Sequence, residues 1–174
     1  MRVFALSDVH VDYPDNLLWL EQLSQGDYVD DVLLLAGDVS DLLDRVAATF
    51  DVLRPKFRSV LFVPGNHDLW VRRCEQRTSL EKFASLQQLA RDHEVTTAPC
   101  RFGRVLLVPL LGWYDGTFGT ASGALRRQWM DYRFCEWEGR SDEQVTDHFL
   151  ELNETTLGVA GAANDISTVV SFSH

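Results

Sequence analysis

Cysteine is scarce. The 174 residues contain three, Cys74, Cys100 and Cys135, far apart and without a C-x-x-C pair. That argues against a disulfide framework or a structural zinc site and makes a reducing cytoplasm the expected location. Basic residues are few as well: 16 Lys and Arg stand against 26 Asp and Glu, a formal net charge of −10. Sequence-independent nucleic-acid binding and docking on anionic lipid both need an excess of cations, so neither partner is expected. Long apolar runs are missing. The longest, around Val32–Ala36 and residues 105–113, fall far below the ~20 residues of a membrane span. Residues 1–8 are too short in apolar content for the core of a secretion signal. No G-x-x-x-x-G-K-[ST] or G-x-G-x-x-G follows an apolar run, which argues against a mononucleotide-binding domain. Linkers, low-complexity tracts and repeats are absent too, so residues 1–174 read as one domain.

What is present is the material of a core. Apolar residues make up 45% and charged residues 24%, the balance of a folded globule. Five short β-branched or apolar runs predict buried strands at Val3–Leu6, Val32–Ala36, 60–63, 105–111 and Thr168–Phe172. Amphipathic helices fall between them. Leu42, Leu43, Val46, Ala47, Phe50 and Leu53 keep helical spacing up to Pro55. Thr78 to Glu81 reads as a capping box, with Leu80, Phe83, Ala84, Leu86, Leu89 and Ala90 inward; Ser141 to Gln144 reads as another, with Val145, Phe149 and Leu152 inward. Strand–helix alternation predicts an α/β domain with a mostly parallel sheet. The stretch 112–139 fits neither period. Its aromatics, Trp113, Tyr114, Phe118, Trp129, Tyr132, Phe134 and Trp137, predict an ordered, largely buried excursion with one short helix.

Four of the five strands end alike, with metal-binding side chains directly after the apolar run. Asp8 and His10 follow the first, Gly37-Asp38 the second, Gly65-Asn66-His67-Asp68 the third and His174 the last. In a parallel sheet the carboxyl ends of the strands share one edge, so these clusters can converge. Carboxylate, imidazole and amide oxygen suit Mn²⁺, Fe or Zn²⁺. A carboxylate with ligands on both sides could bridge two ions, the usual clamp for displacement at phosphorus. Arg72 and Arg73 read as solvated charges, His93 as a surface residue and His148 as half-buried.

D-x-H, G-D, G-N-H-D and a strand-terminal His, in this order, resemble the calcineurin-like metallophosphoesterases. The block 112–137 also looks like a poorly characterised microbial branch of that family. The resemblance implies a four-layer α/β/β/α sandwich and a metal-dependent hydrolase of a small phosphomonoester or phosphodiester. It implies Asp8 and His10 on one divalent ion, Asp38 bridging, Asn66 and His174 on a second, and a hydroxide between the ions as nucleophile. His67 is then the general acid and Asp68 the carboxylate that orients it. The family's fifth motif, G-H-x-H, has no counterpart, because no Gly-His dipeptide occurs. The expectation is therefore the N-terminal portion of such a domain, with the last strands of its second sheet missing. Weak metal binding follows, as does self-association or a complementing segment at the uncovered sheet. The alternative readings are a non-catalytic binding or scaffold module of the same fold, or an inactive fragment that needs a complementing C-terminal segment.

Overall fold

The computed structural model describes residues 1–117, 119, 121–161 and 165–174, with the side chains of 159–161 left aside. Phe118, one of the aromatics singled out above, lies outside the described residues. The chain runs β1 (Val3–Leu6), α1 (Pro14–Gln22), β2 (Val32–Ala36), α2 (Leu43–Leu53), β3 (Ser59–Val63), α3 (Ser79–Asp92), β4 (Cys100–Phe102), β5 (Val105–Pro109), α4 (Gly123–Gln128), α5 (Asp131–Phe134), α6 (Asp142–Gly161) and β6 (Thr168–Phe172).

Among the described residues two three-stranded sheets form. In the first, β1, β2 and β3 are parallel and in that order, with Leu34 of β2 facing Ala5 and Leu61 across the ladder. In the second, β5 pairs antiparallel with β4 and parallel with β6. The two-residue period of β2 and β3 sorts their side chains between two cores. Leu33, Leu35, Val60 and Phe62 pack with Val46, Phe50, Leu53, Leu86 and Ala90 of α2 and α3. Val32, Leu34 and Leu61 point the other way and meet Leu107, Phe102, Val170 and Phe172 of the second sheet. Leu106 and Val108 of β5 are also buried, and α6 lies against that strand. The layers are thus helix, sheet, sheet and helix, the α/β/β/α sandwich that the resemblance implies. Among the described residues no helix is long and apolar enough to cross a membrane.

Both capping boxes form. The Glu81 amide donates to Thr78 Oγ1 at 3.1 Å and the Glu81 carboxylate accepts from the Arg77 and Thr78 amides; Gln144 and Ser141 repeat the exchange at 3.3 and 2.9 Å. Several details differ from the expectation, among them two short helices, α4 and α5, in the 112–139 excursion where one was expected. Helix α1 was not anticipated, although Pro14 at its first turn and Asp15 beside it favour a helix start. The third strand of the second sheet is β4, too short at three residues to show a period. Leu152 of α6 is 38% exposed, and Asn153 takes the inward position. Strand β5 stops at Pro109, and Asn153 satisfies the peptide groups beyond it, accepting from the Leu111 amide at 2.9 Å and donating to the Leu111 carbonyl at 2.7 Å. Ala84 is exposed, whereas Lys82 nearby on α3 is fully buried, donating to the carbonyls of Asp41 and of Trp70 (2.5 Å).

Candidate metal centre

The loops that follow β1, β2 and β3, together with the residues after β6, meet at one sheet edge. The Asp8 amide donates to the Gly37 carbonyl at 3.1 Å, the His10 amide to Asp38 at 3.0 Å and the Val11 amide to Val39 at 3.0 Å. The first two loops therefore continue the ladder past the strands. Asp8, His10, Gly37 and Asp38 all have positive φ, from 39° to 71°. For the three non-glycine residues that conformation is unfavourable, and its clustering here marks a constrained site. Asn16 of α1 anchors the first loop, donating to the carbonyls of Val9 (2.8 Å) and His10 (3.2 Å).

Gly37 and Gly65 let the loops touch. A Cβ on Gly37 would come within 2.6 Å of the Gly65 nitrogen and 2.7 Å of the His174 ring. One on Gly65 would strike the Asp38 carboxylate and lie 2.6 Å from the Asp38 nitrogen. No side chain fits at either position.

Asp38 is at the centre. One carboxylate oxygen is 3.8 Å from His10 Nε2; the other accepts from the His67 amide at 2.9 Å and lies 3.3 Å from His174 Nε2. His174 donates from Nδ1 to the Ala36 carbonyl at 2.8 Å, which turns Nε2 inward, 3.1 Å from Asn66 Oδ1. Burial pushes the Asp38 carboxyl up, but the hydrogen bond and charge of His174 outweigh it and hold it below its ordinary value. The same hydrogen bond lifts the His174 imidazole to about 9. His174 Nε2 thus lies beside Asp38 Oδ1 and Asn66 Oδ1, oxygens that would also face a cation held there. Asp8, Asp38 and His174 form one group with ligand atoms mutually within 4.8 Å, and His10, Asp12 and His67 form another. The donor set of hard oxygens and imidazole fits divalent ions.

Asp12 was missed by the sequence reading, although it continues the D-x-H alternation. Its Oδ1 accepts from Ser40 Oγ (3.1 Å) and Arg73 (2.8 Å). Its buried Oδ2 has no hydrogen-bond partner among the described residues and lies 3.8 Å from His67 Nε2. The His67 ring also approaches Asp41 at 3.9 Å and His10 Nδ1 at 3.2 Å. Burial lowers the His67 imidazole, against the raising pull of Asp12, Asp38 and Asp41.

Asp68 is placed differently from the expectation that it orients His67. Its carboxylate accepts from the backbone amides of Asp38 (2.9 Å), Val39 (2.8 Å), Ser40 (2.9 Å) and Gly65 (2.8 Å). It pins the second and third loops together. Complete burial pushes this carboxyl up to about 7. All four lone-pair directions are nevertheless taken by N–H donors, so a proton could enter only by displacing one, and the ionised form is the one that fits. Arg72 and Arg73 are not simply solvated. Both donate to the enclosed Asp41 carboxylate, and the Arg72 guanidinium lies against the rings of Trp70 (4.9 Å) and Phe134 (4.8 Å). Cys135 lies near the site, its Sγ 4.0 Å from the Asn66 carbonyl, but burial pushes the thiol far up and keeps it protonated.

The sequence model of the calcineurin-like phosphoesterases matches residues 1–166. The acyl-carrier-protein phosphodiesterase PptH of Mycobacterium tuberculosis is 30% identical over 125 residues, 67% of this chain and 38% of its own length. The crystal structure of the phosphopantetheinyl hydrolase PptH from that organism superposes with a TM-score of 0.79 at 24% identity, covering 99% of this chain and 68% of that one. The chain therefore spans about two fifths of the length of the curated relative it matches. With the D-x-H, G-D and G-N-H-D loops gathered at one sheet edge, the chain belongs to the calcineurin-like phosphoesterase family.

Proposed function

We propose that this chain carries a centre for two divalent ions and serves the hydrolysis of a phosphate ester. The observation that carries this reading is the position of Asp38, whose two carboxylate oxygens face different neighbours, His10 on one side and His174 on the other. By the family resemblance Asp8 and His10 would hold one ion and Asn66 and His174 the other, with Asp38 shared; the structure brings Asp8 together with Asp38 and His174, and His10 together with Asp12 and His67. Bound ions would supply Lewis acidity and bring the pKa of a water nucleophile towards neutrality. His67 stands at the same opening, held among Asp12, Asp41 and His10, where it can give a proton to the departing oxygen. Asp68 acts through the backbone, fixing the Asp38 and Asn66 loops in register. A cavity of about 290 Å³ lined by His10, Asp12, Asp38, Asn66, His67 and Arg72 leaves room for a phosphoryl group, with Arg72 at its rim.

The activity in the relative's name points to a phosphodiester, and a phosphopantetheinyl diester is the first substrate to try. We read the 174 residues as part of one metallophosphoesterase domain acting in the cytoplasm on a small ester.

Titration with Mn²⁺ and Zn²⁺, followed by elemental analysis, should give two ions per chain at saturation, and Asp38→Asn should lose both. With ions loaded, bis(p-nitrophenyl) phosphate should be cleaved in preference to p-nitrophenyl phosphate. One ion per chain sinks the two-ion centre. Saturated protein that cleaves neither ester rules out a self-sufficient hydrolase and favours the scaffold module or an inactive fragment that needs a complementing segment.

A further inference from the structure

Asn66 can serve a cation only through its amide oxygen, so something must decide which end of the amide faces inward. The structure assigns that task to Asp131. Asn66 Nδ2 donates to both oxygens of the Asp131 carboxylate, at 3.0 and 3.1 Å. A carboxylate accepts and cannot donate, so the amide is locked with Oδ1 pointing to His174 at 3.1 Å. Asp131 is itself 2% exposed and over-determined. Trp70 Nε1 donates to it at 2.6 Å, Tyr114 Oη at 2.6 Å and Trp129 Nε1 at 2.8 Å. The turn of α5 that carries it is tied to the segment after the G-N-H-D loop, where the Val71 amide donates to Phe134 and the Ser79 amide to Glu136, both at 2.8 Å. An anionic group this enclosed, with every partner a donor, has the arrangement of an outer carboxylate that aims a metal ligand.

We propose that Asp131 is the positioning residue for the Asn66 side of the metal centre. The inference rests on the two-ion reading above. It makes the excursion 112–139 part of the centre: Tyr114 and Trp129 hold Asp131, Asp131 aims Asn66, and Asn66 completes the ligand set beside His174. Trp129 is 48% exposed and reports on this network from the surface.

The test is calorimetric titration of Mn²⁺ into the wild-type chain, Asp131→Asn, Asn66→Asp and the double swap Asn66→Asp with Asp131→Asn, with urea denaturation as a folding control. Asp131→Asn should weaken one of the two ions about ten- to a hundredfold and leave the other within a few-fold. Asn66→Asp sets two carboxylates face to face and should weaken that same ion. The double swap keeps the charge of the pair and reverses the hydrogen bond: the amide now at position 131 donates to the carboxylate now at position 66. Affinity should then return to within a few-fold of wild type. Tryptophan emission should shift on ion binding in the wild type and the double swap, and less in Asp131→Asn. Folded Asp131→Asn that binds both ions like wild type overturns the proposal. So does a folded double swap no better than Asn66→Asp, and this arm decides the matter if Asp131→Asn does not fold. Wild-type protein that binds no ion removes the metal centre itself, a result distinct from both.

Discussion

Two buried carboxylates support the centre, and they do so by different means. Asp68 is held by four backbone amides, from Asp38, Val39, Ser40 and Gly65. Asp131 is held by side chains, those of Asn66, Trp70, Tyr114 and Trp129. Backbone donors exist whatever the residue type, so only the shape of the two loops and the glycines within them must be right. Side-chain donors depend on the identity of each partner. The first support belongs to a loop design built from short motifs. The second belongs to the 112–139 excursion, where it can be altered without disturbing the strands. The difference separates what forms the site from what tunes it.

The sharpest way to break that comparison is to neutralise each carboxylate with the ions chelated away. Asp68→Asn presents an NH₂ group to amides that have nowhere to turn. At least two buried N–H groups lose their acceptor at about 1–3 kcal/mol each, a loss on the order of 4 kcal/mol in urea denaturation. Asp131→Asn should cost only about 1–2 kcal/mol, because its donors sit on side chains that can rotate towards water. Equal losses would erase the distinction.

Gly65→Ala tests the loop approach from the other side. Its Cβ meets Asp38 and the His174 ring, and a loss of about 1–3 kcal/mol should accompany failure to bind Mn²⁺ in titration. Retained binding would show that the loops have slack.

Asp41 offers a contrast in pH. Burial opposes its ionisation, but Arg73 and Arg72 hold the carboxyl down at about 2, below its ordinary 3.8. A carboxyl lowered on folding stabilises above its unfolded value and loses that contribution as pH falls through its folded one. Asp41→Asn should therefore cost about 2 kcal/mol at pH 7, with the gap to wild type closing between about pH 4 and 2. A gap that persists at pH 2 would assign the effect to packing.

The smallest effect is expected at His93. Its ring reaches Asp51 at 2.8 Å, but Asp51 is largely exposed, and such surface pairs are worth little. His93→Ala should move stability by less than about 0.5 kcal/mol.

Much of this was legible in the residues. Five predicted strands appear close to their predicted bounds because apolar runs bounded by turn residues have few other uses in a chain of this length. The two capping boxes were readable because their partners lie within one turn of helix. The convergence of the loops after β1, β2 and β3 was readable too, since parallel strands put their carboxyl ends side by side. Reading failed where partners are distant. Asn66 and Asp131 are 65 residues apart and Asp41 and Arg73 are 32 apart. Nothing local distinguishes such an Asp or Arg from a solvated one. Asp68 was misjudged for a related reason: sequence adjacency to His67 suggested a ring partner, whereas the tight turn of residues 67–69 directs its carboxylate into the amides below.

The sequence by itself determined the alternation of strands and helices and the chemistry presented at the strand ends. Periodicity and short-range spacing are local properties, so one segment at a time suffices to specify them. Only the tertiary structure decided which carboxylate holds which amide and which arginine is paired rather than solvated. Those hydrogen bonds join segments that meet only after the sheets have packed, and in a buried site the geometry of that packing selects the partner.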